Sequence, residues 1–159
     1  MTVVLRPATP SDIDALLRLI DDLNAHVGAA TGKMTREALL RDAFGDDPKF
    51  EIAAAKVDGA VAGYAAWCDA YETEHAMAGL YMIDLYVDEP YRRHGVARKL
   101  VAHVAAAGRN RGRGFVWWTA VPDNAEAAAF YEKLGTHSEP MIAHALFGER
   151  FDTLADEVG

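Results

Sequence analysis

Apolar positions change period several times along the chain, and each change marks an element. Val3-Val4-Leu5 predicts a first strand, closed by Arg6-Pro7. Thr9-Pro10-Ser11-Asp12 follows as a helix start: a capping Thr, Pro at the first helical position and an acid at the third. Ile13, Leu16, Leu17, Ile20 and Leu23 then return at helical spacing. After a Gly28–Gly32 loop, Thr35 predicts the cap of a short helix carrying Ala38, Leu39 and Phe44. Phe50–Val57 and Ala60–Cys68 predict two strands joined by an Asp58-Gly59 hairpin turn. Leu80–Val87 predicts a strongly apolar strand stopped by Asp88-Glu89-Pro90. A helix starting near Gly95 carries Val96, Leu100, Val101 and Val104 on one face and is broken by Gly112 and Gly114. Phe115–Thr119 is a dense run of β-formers, Asn124–Leu134 a helix closed by Gly135, Met141–Phe147 a final strand and Glu149–Glu157 a short acidic helix. The hairpin places antiparallel pairs in the sheet. The expected fold class is therefore α+β, a mixed and mostly antiparallel sheet flanked by helices.

The size and charge of the chain narrow its chemistry. Its 159 residues fit one domain, 1–159, with 51% hydrophobic and 25% charged residues, a globular balance. The formal net charge of −8 argues against a general nucleic-acid binder and against attachment to anionic membranes. Cys68 is the single cysteine, which excludes an intrachain disulfide and a cysteine zinc cage. No leader-like segment and no stretch of about 20 apolar residues is present, so the expected location is cytoplasmic. The charge is unevenly spread. Between Asp42 and Glu89 the acids are opposed only by Lys49 and Lys56, whereas Arg92, Arg93, Arg98, Lys99, Arg109, Arg111 and Arg113 form a basic stretch without acids. Two solvated faces would explain this pattern; a polyanion site beside a cation site would explain it as well.

Two constellations carry chemistry. Leu85-Tyr86-Val87-Asp88-Glu89-Pro90-Tyr91-Arg92-Arg93-His94-Gly95-Val96-Ala97 runs from a strand through two arginines and a glycine into a helix start. Helix-start amides lack internal partners and favour anions, and a glycine lets phosphate approach the backbone. Asn124-Ala125-Glu126-Ala127-Ala128-Ala129-Phe130-Tyr131-Glu132-Lys133-Leu134-Gly135 is the second; its apolar face alone would be ordinary core packing.

Together, Arg92-x-x-Gly95-x-Ala97 and Asn124-x-x-Ala127-x-x-Phe130-Tyr131-x-x-x-Gly135 resemble the GCN5-related N-acetyltransferase (GNAT) superfamily. Leu5–Thr9, Asp42–Pro48, Asp84–Val87 and Ala145–Glu149 look like its diamine, spermidine/spermine-type, branch. The resemblance implies a GNAT-like acyl-CoA N-acyltransferase fold with acetyl-CoA as cosubstrate and no metal. It implies that the backbone of Leu85, Tyr86 and Val87 holds the pantetheine arm. It assigns the pyrophosphate to the amides of Arg92, Arg93, His94, Gly95, Val96 and Ala97. Asn124 would meet the far end of the pantetheine, and Tyr131 would protonate the departing thiolate. The branch usually carries Glu-Asp where this chain reads Ile83-Asp84, so a carboxylate base is missing at that spot. Strand alternation puts Asp84 on the face opposite Ile83, which leaves Glu72, Glu74 or His75 on the preceding loop as candidates alongside Asp84.

The expected activity is transfer of acetyl from acetyl-CoA to a small-molecule primary amine, by direct attack in a ternary complex. Two further readings stay open: acetylation of a protein N-terminus or lysine, and a non-catalytic acyl-CoA-binding regulatory module. The branch resemblance implies a homodimer. Asp46, Asp47, Asp69, Glu72, Glu74 and Asp84 are expected to border the acceptor mouth and attract a protonated amine. The six histidines show no metal-ligand spacing. Cys68, next to Asp69 and near Glu72, reads as a small apolar filler rather than an acyl carrier.

Overall fold

The computed structural model describes residues 1–158, which divide into two compact units, Met1–Asn124 and Ala125–Gly159. The first unit holds a five-stranded sheet in the order β1-β2-β3-β4-β5. The strands are β1 (Val3–Pro7), β2 (Glu51–Val57), β3 (Ala60–Glu72), β4 (Met77–Val87) and β5 (Val116–Trp117). The first three pairings are antiparallel and the last is parallel, which is the expected mixed sheet.

Local sequence explains most of the elements. A 3-10 turn over Pro10–Asp12, capped at Thr9, leads into α1 (Ile13–His26). Thr35 caps α2 (Arg36–Asp42), its hydroxyl accepting from the Ala38 amide at 3.1 Å. Asp58 and Gly59 both take positive φ, 48° and 91°, as a two-residue hairpin requires. The helix expected near Gly95 is α3 (Val96–Asn110).

Each face of the sheet has its own core. On one, α3 buries Val96, Leu100 and Val104 against Ala65, Trp67, Leu80 and Met82. On the other, α1 and α2 bury Leu16, Leu19, Ile20 and Leu39 against Ile52, Tyr64 and Ala66. The burial of large apolar side chains in both layers is what holds the sheet between helices.

Four segments differ from the sequence expectation. β3 and β4 are longer than expected, because hairpin pairing carries both through to Glu72↔Met77. β5 is shorter, since only Val116 and Trp117 ladder onto β4. Met141–Phe147 forms no strand: Ile142 and Phe147 are β-formers, but the alanines between them are not, and strand propensity needs a partner, of which none pairs with it among the described residues. In the second unit, α4 (Ala125–Leu134) ends at Gly135, φ 77°, and α5 (Glu149–Ala155) follows.

Candidate active site

The middle strand of the site is β4, whose two ends have different neighbours. Its ladder to β5 covers Leu80↔Val116 and Tyr81↔Trp117. Its ladder to β3 continues to Gly63↔Val87. Residues 82–87, including Leu85, Tyr86 and Val87, therefore run beyond the β5 ladder.

A β-bulge falls where β4 leaves β5. Ala66 pairs with Asp84 and Trp67 with Met82, so Ile83 is the extra residue. Its effect is visible in the two cores. Leu80 and Met82 face α3 before the bulge, and Leu85 and Val87 face α3 after it. Tyr86 joins the opposite core, and Asp84 accepts a hydrogen bond from Tyr64, a member of that core. Alternation counted from either side therefore assigns Ile83 and Asp84 to the same face, that of α1 and α2. The strict alternation expected from sequence is broken, and Asp84 stands beside the apolar side chain that occupies the glutamate position of the resembled branch.

Asp84 sits in a low-dielectric setting. The Tyr64 hydroxyl donates to its Oδ2 at 2.8 Å, and Tyr64 is fully buried. Burial pushes the Asp84 carboxyl above its usual range, and the Tyr64 hydrogen bond opposes that only in part. The same pair keeps Tyr64 a phenol: burial raises its pKa, and the neighbouring carboxylate raises it further. Tyr64 was not singled out from the sequence. Its signal was a bulky phenol in the alanine-rich run Ala60–Ala66, in register two residues from Asp84.

The loop after β4 leads into α3. Arg92 donates from Nε to the Val87 carbonyl at 2.9 Å and stacks over Tyr86, 5.5 Å from the ring centre. Arg93, with φ 64°, and Gly95, with φ 75°, are both left-handed, an arrangement that gathers backbone N–H groups into a concave row. No side chain caps α3 at Gly95. Its first amides, at Val96 and Ala97, are thus left to solvent or an anion, with exposed Arg93, His94 and Gly95 alongside. A Cβ on Gly95 would meet nothing within 4 Å, so the glycine answers to its backbone angle rather than to crowding by protein.

The remaining candidates are dispersed. Glu72, Glu74 and His75 lie at the tip of the β3–β4 hairpin, about 17 Å along the strand from the bulge at roughly 3.3 Å per residue. Both Glu72 oxygens are used there, by the Glu74 amide, the His75 amide and His75 Nδ1. These bonds hold the Glu72 carboxyl below its usual range even though desolvation pushes the other way. Two of the acids expected at one mouth have cation partners: Asp69 is held by Arg113 at 3.0 and 3.1 Å, and Asp47 pairs with Lys49. Glu51 meets Arg111, so part of the charge asymmetry is spent in tying β2 and β3 to the turn after α3. The Cys68 thiol is raised by burial and by Asp69, which suits a filler. Asn124 ends the first unit; Tyr131 lies on α4 in the second, its ring 5.4 Å from that of Phe130.

The mixed sheet, with β4 running past β5 into a left-handed loop and α3, is an acyltransferase-type arrangement, and the sequence profile of the Acetyltransferase (GNAT) family matches residues 17–136. The chain belongs to that family and is an acetyltransferase. Thialysine N-epsilon-acetyltransferase of Mus musculus is 29% identical over 164 residues, covering 95% of this chain and 96% of the relative. L-ornithine N5-acetyltransferase of Arabidopsis thaliana is 36% identical over 78 residues, covering 49% of this chain and 34% of the relative. Among solved structures, an aminoglycoside acetyltransferase from an uncultured soil metagenomic sample superposes with a TM-score of 0.73 at 17% identity, covering 92% and 95% of the two chains. An integron cassette protein from the mobile metagenome of V. cholerae reaches 0.79 at 20%, covering 98% of each. These structural likenesses bear on the fold alone. No described helix is long and apolar enough to cross a membrane.

Proposed function

We propose that this acetyltransferase moves acetyl from acetyl-CoA to the primary amine of a small, polyamine- or amino-acid-like molecule by direct attack in a ternary complex. The observation that carries the reading is the Asp84 carboxylate on the β4 bulge, on the sheet face away from α3 and its anion loop. The acyl donor then enters from the α3 side, and the amine from the α1–α2 side. The amides of Arg92–Ala97 take the pyrophosphate, and the backbone of Leu85–Val87, beyond the β5 ladder, lines the pantetheine. Asn124 meets the far end of that arm. Asp84 first takes one proton from the ammonium; the neutral amine nitrogen then attacks the thioester carbonyl and loses its second proton to solvent. The C–N bond forms, the C–S bond breaks, and the thiolate takes a proton from Tyr131. A carboxylate raised towards neutrality is better matched to a proton-accepting role than an ordinary one. The branch resemblance supports a homodimer.

Two measurements test the assignment. Gly95→Ala and Gly112→Ala impose similar backbone strain, since the native φ values are 75° and 71° and neither Cβ meets a neighbour. Acetyl-CoA affinity by calorimetry falls in Gly95→Ala only; equal affinities in the two variants would sink the anion-loop assignment. Tyr131→Phe lowers kcat by about 10²-fold with acetyl-CoA binding intact, and wild-type turnover would pass the proton to another donor. An amine panel of polyamines, thialysine-like amino acids, aminoglycosides and short peptides then names the acceptor by thiolate release.

A further inference from the structure

Tyr64 lies fully inside the first unit, and its hydroxyl has a single use: it donates to Oδ2 of Asp84 at 2.8 Å. The other carboxylate oxygen, Oδ1, takes no protein hydrogen bond among the described residues. Oδ1 is not fully buried either, since the one fully buried side-chain polar atom without a partner among the described residues is Trp67 Nε1, in the other core. One oxygen is thus fixed from inside the fold and the other is left open. Without that bond a bulged aspartate would be free to rotate about χ1 and χ2.

We propose that Tyr64 is the positioning residue for the amine side of the reaction, locking the Asp84 carboxylate so that Oδ1 meets the acceptor nitrogen. This rests on the reading of Asp84 given above. The elements packed over the pair contribute mainly apolar side chains, among them Leu16, Leu19 and Leu39. The titratable neighbour on the strand is Tyr86, and around that ring stand Arg92, Asp22 and Asp88. Tyr64 is the direct hydrogen-bond donor to the carboxylate in this setting, so its loss acts on Asp84 first. A donor to the charged form favours that form, and removing it makes the carboxylate harder to ionise.

The test is the pH profile of kcat/KM for the best acceptor in wild type, Tyr64→Phe, Asp84→Asn and the double variant. Tyr64→Phe moves the acidic limb to higher pH. Along that limb kcat/KM falls by about tenfold, the factor given by one unit of displacement, and the loss disappears on the alkaline side. In the Asp84→Asn background Tyr64→Phe has no further effect. An unmoved limb, or additive losses in the double variant, overturns the positioning role and leaves Tyr64 as packing alone. If Asp84→Asn itself keeps wild-type kcat/KM, the reading of Asp84 fails first and takes the inference with it. A measurement on the unmutated chain guards against misfolding of Tyr64→Phe. With ¹³C-labelled tyrosine, the Tyr64 Cζ resonance shifts over the same pH interval as the limb; a resonance flat across that interval overturns the coupling.

Discussion

Two partly or fully buried aspartates on the same side of the sheet have opposite fates. Asp12 sits at the start of α1 against Arg6, which meets it with two hydrogen bonds of 2.7 Å. That guanidinium holds its carboxyl down to about 2, with help from the Thr9 amide and hydroxyl against the cost of burial. Asp84 is held instead by a neutral phenol, and burial wins: its carboxyl is raised. Burial is common to both, so the charge of the partner decides. A cation makes the aspartate a staple that joins β1 to α1, closing the capping box at Thr9. A phenol leaves it a carboxylate with an affinity for protons, which suits a site where an ammonium must lose one.

The largest expected effect separates the two by exchange of the same atoms. Asp84→Asn lowers kcat/KM by about 10²–10⁴-fold, the usual range for a lost proton acceptor. The fold does not suffer, because the amide oxygen still accepts from Tyr64 and a costly charge has gone. Asp12→Asn does the reverse. It leaves a half-exposed Arg6 without its carboxylate and costs about 2 kcal/mol, roughly 4–8 °C in Tm, with kcat retained. A large loss of turnover in Asp12→Asn at unchanged stability would erase the distinction.

The pH dependence of stability sharpens it. The folded pKa of Asp12 is depressed from the usual 3.8 to about 2, so its contribution is present above the ordinary carboxylate range and is lost as pH falls from about 4 towards 2. The folded pKa of Asp84 is raised, so its contribution is present below the ordinary range and is lost as pH rises through its own midpoint. Denaturation of wild type and both asparagine variants across pH reads this directly. The deficit of Asp12→Asn shrinks in acid, whereas Asp84→Asn is the more stable protein near neutrality and loses that advantage in acid. Parallel curves for the two variants would break the comparison.

A third substitution changes the neighbour rather than the aspartate. The bulge brings residue 83 to the face of Asp84, so Ile83→Glu places a second carboxylate beside it. Like charges disfavour joint ionisation, and the acidic limb of kcat/KM moves up in pH. A second negative site also favours acceptors with two positive charges over those with one, by about threefold to tenfold, and added salt reduces the preference. An unmoved limb and an unchanged ratio would mean that residue 83 points elsewhere.

How much of this was readable in advance depends on whether the signal was local. The turn from β4 into α3 was legible because its determinants are contiguous: arginines, a glycine and a helix start within Arg92–Ala97. The Asp58-Gly59 hairpin and the Thr35 cap were legible for the same reason. The bulge was not, since Met82, Ile83 and Leu85 suit a regular strand and the extra residue shows only in the pairing with Ala66 and Trp67. The polarity of Asp84 within that apolar run was a sign of function, but its face could not be counted correctly without the bulge. Tyr64 lay hidden because its meaning comes from a residue twenty positions away on the next strand.

The smallest effect belongs to Glu72, one of the loop groups that sequence reasoning offered as a base. Glu72 accepts from two backbone amides and from His75 at the hairpin tip, and is far more accessible than Asp12. Those bonds hold its carboxyl low, so it is ionised and already occupied when the enzyme works. An occupied, weakly basic carboxylate in water has little pull on a distant ammonium, and salt screens what remains. Glu72→Gln keeps one carbonyl acceptor for the turn, leaves one of its two amides to solvent and removes the charge. Its kcat/KM stays within about twofold of wild type for monocationic and dicationic acceptors alike. A loss approaching that of Asp84→Asn would bring the hairpin tip into the acceptor site, and with it the idea that a carboxylate's partners predict its role would fail.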